Sequence, residues 1–157
     1  MREIRAIALD VDGVLTDGGV WWGSNGEEWK RFCFADIMGV SNACKAGLIV
    51  TLISGEDSPL VDRFAEKFQI TDITKGCRDK ATALRAFAGR QQLPLSAICF
   101  MGDDINDIAA QKIAGLSAAP ADAHPTVLAT ATFIAKNNGG NGAVRELIDA
   151  ILAARPS

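Results

Sequence analysis

Histidine is almost missing from this chain: His124 is the only one among 157 residues. That removes histidine-rich metal centres and leaves a Ser-His-Asp triad a single candidate for its base. The four cysteines, Cys33, Cys44, Cys77 and Cys99, form no C-x-x-C pair, so zinc and dithiol chemistry have little basis. Scattered through apolar segments, they suit free thiols in a reducing compartment. No apolar run approaches the ~20 residues that span a bilayer. Met1-Arg2-Glu3 leads straight into a short apolar run without the features of a signal peptide. The expectation is a cytoplasmic protein with no membrane partner. Excess positive charge is lacking as well, and a net charge of -3 argues against nucleic acid as a partner. No internal repeat, low-complexity tract or linker interrupts residues 1–157, which are expected to form one domain.

What is present is a regular alternation. Continuous apolar runs predict buried strands at Ile4–Leu9, Leu48–Ile53 and Ala97–Met101, with shorter ones near Asp72–Thr74, Leu116–Ala118 and Thr132–Ala135. Helices are predicted over Asp36–Ala46, ended by Gly47, and from Ser58-Pro59 to about Phe68, with Ser58 as N-cap. Others are predicted over Lys80–Arg90 after an Asp79 cap, over Asn106–Ile113, as a turn within Ala121–Leu128, and over Ala143–Ala154. Between the first strand and first helix, Val20-Trp21-Trp22 and Glu28 to Phe34 flank Asn25-Gly26, a β-hairpin signal. Apolar strands alternating with helices predict an α/β, three-layer Rossmann-like domain with a parallel sheet, plus a protruding β-hairpin and no large cap. Ligands of such sheets bind at the carboxyl ends of the strands.

Four clusters fall at those ends or close to them. Asp10-Val11-Asp12-Gly13 places two carboxylates just past a buried strand, with Gly13 permitting a sharp turn. An EF-hand loop is excluded, because its glycine belongs two positions later. Ser54-Gly55 offers a hydroxyl and open backbone N–H groups to a phosphate oxygen. Lys80 at a helix start can offset phosphate charge. Gly102-Asp103-Asp104-Ile105-Asn106-Asp107 packs three carboxylates into five positions, a repulsion that calls for a cation. Oxygen-only ligands point to a hard ion, and magnesium fits.

In this order, D-x-D-G-x-x-T-D, Ser-Gly, Lys and G-D-D-x-x-D, the clusters resemble the haloacid dehalogenase superfamily of phosphatases. The resemblance implies a magnesium-dependent phosphomonoester hydrolase working through an aspartyl-phosphate. Asp10 would be the nucleophile and Asp12 the general acid and base. Asp10, the backbone carbonyl of Asp12, and Asp103 would hold Mg2+. Ser54, Gly55 and Lys80 would bind the phosphoryl group. Asp107 would orient Lys80, and Asp104 would hold metal-bound water.

The short spacing from Asp12 to Ser54, and from there to Lys80, leaves no room for a large lid. With the Gly13–Gly19 run, Glu28-Trp29-Lys30 and Gly139–Glu146, the chain is similar to the small capless phosphatases of sugar-acid biosynthesis. That similarity implies a small phosphorylated sugar acid as substrate and a homotetramer as the assembly. Glu56 and Lys67 look like the nine-carbon branch, which takes 2-keto-3-deoxynononate or N-acylneuraminate 9-phosphate. The alternative substrate is 3-deoxy-D-manno-octulosonate 8-phosphate. Trp21, Trp22 and Trp29 in the hairpin are expected at a subunit contact, against core packing as the plainer reading. Readings from other classes are a phospho-receiver, disfavoured by the order of its acids and lysine, and a non-catalytic oligomerisation module, disfavoured by intact Asp10 and Asp12.

Overall fold

The computed structural model describes residues 3–155. Strand β1 (Ala6–Leu9) is followed by the hairpin strands β2 (Trp21–Trp22) and β3 (Glu28–Trp29). Helix α1 (Phe34–Lys45), strand β4 (Ile49–Ile53), helix α2 (Pro59–Phe68) and strand β5 (Ile73–Thr74) come next. Helix α3 (Lys80–Arg90) leads to β6 (Ile98–Met101), and a 3-10 turn (Ile105–Asp107) runs into α4 (Ile108–Ile113). The chain closes with β7 (Leu116–Ala119), α5 (Pro125–Leu128), β8 (Phe133–Ile134) and α6 (Ala143–Ala153).

Six strands form one parallel sheet in the order β5-β4-β1-β6-β7-β8. The three-layer α/β architecture is therefore as expected. β1 is central because its residues suit both faces. Ala6 and Ala8 admit the helices of one layer, where Leu84 and Phe87 of α3 and Ala110 of α4 pack. Ile7 and Leu9 point the other way, into a core with Val40, Ala43, Leu147, Ile148 and Ile151. A fully buried Leu or Ile of this kind contributes about 1.5–3 kcal/mol. Helices α1 and α6 approach closely at Gly39, where a Cβ would sit 2.9 Å from Arg145 Cα. Buried Asp36 on α1 accepts from Gly142 N at 3.0 Å and Arg145 N at 2.9 Å, capping α6 from another element.

The helix caps at Ser58 and Asp79 form as the sequence predicts, each accepting from a first-turn N–H. The hairpin departs from expectation. Trp21 pairs with Trp29 and Trp22 with Glu28, so each strand is only two residues long. Five residues, Gly23 to Glu27, make the connection, with Gly23 N donating to Glu27 O at 2.8 Å. A two-residue Asn-Gly turn would pair Ser24 with Glu27, one residue out of step with the observed register, which brings Gly23 level with Glu27. The predicted turn over Ala121–Leu128 is helical only from Pro125.

Candidate active site

Register decides the site. Leu9 is level with Leu52 of β4 and Met101 of β6, so the chain leaves all three strands at one edge. Asp10, Ser54 and Asp103 emerge there, and Asp10 N donates to Met101 O at 3.0 Å. The cavity over this edge, about 280 Å³, is lined by residues that include Asp10, Asp12, Gly55, Glu56, Lys80 and Asp103. Gly13, with φ +84°, is obligatory: a Cβ would collide with the Asp103 carboxylate.

Lys80, at the first turn of α3, is only 2% exposed. Its Nζ lies 2.9 Å from Asp10 Oδ1 and 2.6 Å from Asp107 Oδ1. Burial opposes its charge, but the two carboxylates outweigh that and hold its pKa above the usual lysine range. The other oxygen of Asp107 accepts from Asp103 N at 2.9 Å and Asp104 N at 3.2 Å. Asp107 thus fixes both Lys80 and the loop bearing Asp103. Asp104 caps the same turn, its Oδ1 accepting from Ile105 N at 2.7 Å.

The acids repel one another. Burial chiefly, then Asp107 against the opposing pull of Lys80, pushes Asp10 up to about 6. Burial followed by the charges of Asp10 and Asp107 pushes Asp103 up to about 8. One oxygen from each of Asp10, Asp103 and Asp107 lies within 4.8 Å of the others. Since both Asp107 oxygens are already engaged, Asp10 and Asp103 are the carboxylates open to a cation. Two hard oxygen donors with pKa values raised chiefly by burial, and further by neighbouring carboxylates, fit a magnesium ion.

Ser54 is fully buried behind Gly55 and Glu56, and its Oγ accepts from Glu56 N at 3.1 Å, leaving the O–H to donate. Glu56 lines the cavity. Lys67 does not: it is exposed on the last turn of α2, away from the cavity lining. The structure adds residues that sequence reasoning missed. Lys30 Nζ reaches 2.8 Å from Asp12 Oδ1. Asn106 lines the cavity. His124, given no role from sequence, donates its backbone N–H to Asp103 O at 2.8 Å and caps α5 through Nδ1. Two of these had a signal: Lys30 closes the Glu28-Trp29-Lys30 string, and Asn106 lies within the Gly102–Asp107 run.

A parallel sheet whose carboxyl edge carries an acid–lysine–acid cluster has the chemistry to hold a phosphoryl group beside a cation. The chain belongs to the haloacid dehalogenase-like hydrolase family, matched over residues 37–147, and is a phosphatase. It is 36% identical to the 3-deoxy-D-manno-octulosonate 8-phosphate phosphatase of Escherichia coli K12, over 98% of this chain and 82% of that one. The Moraxella catarrhalis 3-deoxy-D-manno-octulosonate 8-phosphate phosphatase, solved with a magnesium ion, a phosphate ion and a KDO molecule, superposes with TM-score 0.96 at 36% identity, covering 98% and 88% of the two chains. The cobalt-bound deoxy-D-mannose-octulosonate 8-phosphate phosphatase of Haemophilus influenzae superposes with TM-score 0.95 at 34% identity, covering 98% and 90%.

Proposed function

We propose that the chain hydrolyses 3-deoxy-D-manno-octulosonate 8-phosphate. The observation that carries the phosphatase chemistry is Lys80, bridged between Asp10 and Asp107 on the floor of an acid-lined cavity. The substrate rests on relatives of that activity which match nearly the whole chain. Asp10 and Asp103, with the backbone carbonyl of Asp12, would hold magnesium. When bound, that ion neutralises charge on the transferring phosphoryl group.

The roles follow from position. An Asp10 oxygen attacks phosphorus, and the bond from phosphorus to the sugar oxygen breaks as Asp12 delivers a proton to that oxygen. Water then attacks the aspartyl-phosphate, Asp12 takes its proton, and the bond to Asp10 breaks to release inorganic phosphate. Lys80 turns its remaining N–H to a phosphoryl oxygen, joined by Ser54 and the open backbone at Gly55. Asp107 keeps Lys80 in place, and Asp104, on the wall of the same cavity, would support the hydration of the ion.

A nine-carbon 9-phosphate is the second reading, favoured by Glu56 on the cavity wall, where a carboxylate accepts hydrogen bonds from a polyol. The position of Lys67 weighs against it within a single chain. Lys67 would reach a substrate carboxylate only across a subunit boundary. A homotetramer is part of the same proposal, since the hairpin tryptophans Trp21, Trp22 and Trp29 are 71%, 77% and 59% exposed in the single chain.

Phosphate release with magnesium, from octulosonate 8-phosphate and the nine-carbon 9-phosphates side by side, tests the reading. Preference for the octulosonate ester, with a loss of about 10⁴-fold or more in Asp10→Asn, is the expected result. Preference for a nine-carbon ester transfers the assignment to the Glu56 reading. Full activity in Asp10→Asn sinks the mechanism.

A further inference from the structure

We propose that Lys30 is a positioning residue for Asp12, so that the hairpin supplies a working part of the active site. The inference rests on Asp12 being the acid and base. Lys30 directly follows β3, yet its side chain is folded inward and only 6% exposed. Its Nζ is 2.8 Å from Asp12 Oδ1 and 3.4 Å from Glu28 Oε1. The other Glu28 oxygen accepts from Trp22 Nε1 at 3.0 Å. A continuous polar chain therefore runs from an exposed tryptophan at the hairpin to the carboxylate at the cavity.

The arrangement has a cost that calls for a reason. A lysine left to solvent keeps its rotamer freedom and its hydration, and Lys30 gives up much of both. Among the described residues, Lys30 is the sole side-chain partner of the Asp12 carboxylate. Asp12 sits on a turn with no strand or helix to hold its rotamer. Asp10, by contrast, is held from below by Lys80. The two working carboxylates are each aimed by a lysine, one from α3 and one from the hairpin. Misplacing a reacting group by about 1 Å can cost on the order of 10²-fold. Holding Asp12 is therefore worth a comparable factor in turnover.

Lys30→Met keeps the length and apolar stem while removing the ammonium. With a sugar-acid phosphate, kcat is expected to fall about 30-fold with KM changed less than about threefold, and Lys30→Arg to recover most of the loss. With p-nitrophenyl phosphate, whose leaving group needs no proton, the first-turnover burst keeps its rate. Placed in Asp12→Asn, Lys30→Met adds less than about a twofold loss, because the two changes remove one function. Thermal melts establish that each variant folds. An equal loss in both backgrounds, or a rise in KM alone, overturns the proposal. A fully active Asp12→Asn instead overturns the acid and base reading itself, which keeps the two failures apart.

Discussion

The floor of the active site and the hairpin above it are built on opposite terms. On the floor, Asp10, Lys80 and Asp107 are buried at the ends of core elements and hold one another at 2.6–2.9 Å. The hairpin has two strands of two residues and three exposed tryptophans. Phe32 at its base stacks on Phe64 of α2 with ring centroids 5.1 Å apart, which anchors the stem but leaves the tip to solvent. A charge cluster that must not move belongs on a sheet edge, where strand register sets its geometry. A surface that must meet substrate or another subunit belongs on an element with little core of its own. Lys30 is where the two regions join.

The sharpest way to break this contrast is on the floor. Lys80→Met leaves Asp10 and Asp107 as facing buried carboxylates, and about 3 kcal/mol of unfolding free energy should be lost in denaturant melts. Turnover should fall by about 10²–10³-fold through loss of one phosphoryl donor. An unchanged melt would mean the cluster is softer than its distances imply.

The second test uses the raised carboxyls. Asp103 is pushed up to about 8 and Asp10 up to about 6, both chiefly by burial. Folded protein therefore binds more protons than unfolded chain from about pH 4 to 8. Their contribution to stability without metal is complete below the unfolded carboxylate pKa and is lost as pH rises through about 6 and then 8. Magnesium displaces those protons, so its binding tightens over the same window and releases protons. Thermal melts with and without magnesium should show a larger increment at about pH 8.5 than at about pH 5.5. An increment independent of pH would remove Asp103 from the metal site.

The third test acts at the seam between the regions. Gly140, at φ +59°, packs so tightly that a Cβ would collide with the Thr16 backbone. Its N–H donates to Val14 O at 2.9 Å, holding the Asp12–Asp17 loop from behind. Gly140→Ala should cost about 1–3 kcal/mol in melts and lower kcat by displacing Asp12. The smallest effect is expected at the tip. Trp22→Ser should change the stability of a single chain by less than about 0.5 kcal/mol, since Trp22 is 77% exposed. Light scattering should nonetheless show a smaller assembly. An unchanged assembly would detach Trp22 from the subunit contact.

Much of the floor was legible in the chain because its residues lie in short runs. Asp10 and Asp12, Ser54 and Gly55, and Asp103 to Asp107 each follow a continuous apolar strand, so local pattern placed them at strand ends. Lys80 was legible as a helix start after the Asp79 cap. Its contact with Asp107 was expected from family resemblance, whereas the bridge to Asp10 emerged from packing. Lys67 shows the limit on a helix: its position in sequence is clear, but it is exposed and does not line the cavity. The hairpin shows another, since Asn25-Gly26 signals a turn whose register was decided by the pairing of Trp21 with Trp29 and Trp22 with Glu28.

By itself the amino-acid sequence determined the α/β class, the parallel sheet and the acid-rich strand ends, because apolar periodicity and capping are local properties of the chain. Tertiary structure alone decided which acids share Lys80, which carboxyls are pushed up to meet a cation, and that Lys30 reaches Asp12 while Lys67 stays outside. Those outcomes depend on distances between residues far apart in sequence, and on burial that exists only once the helices have closed on the sheet.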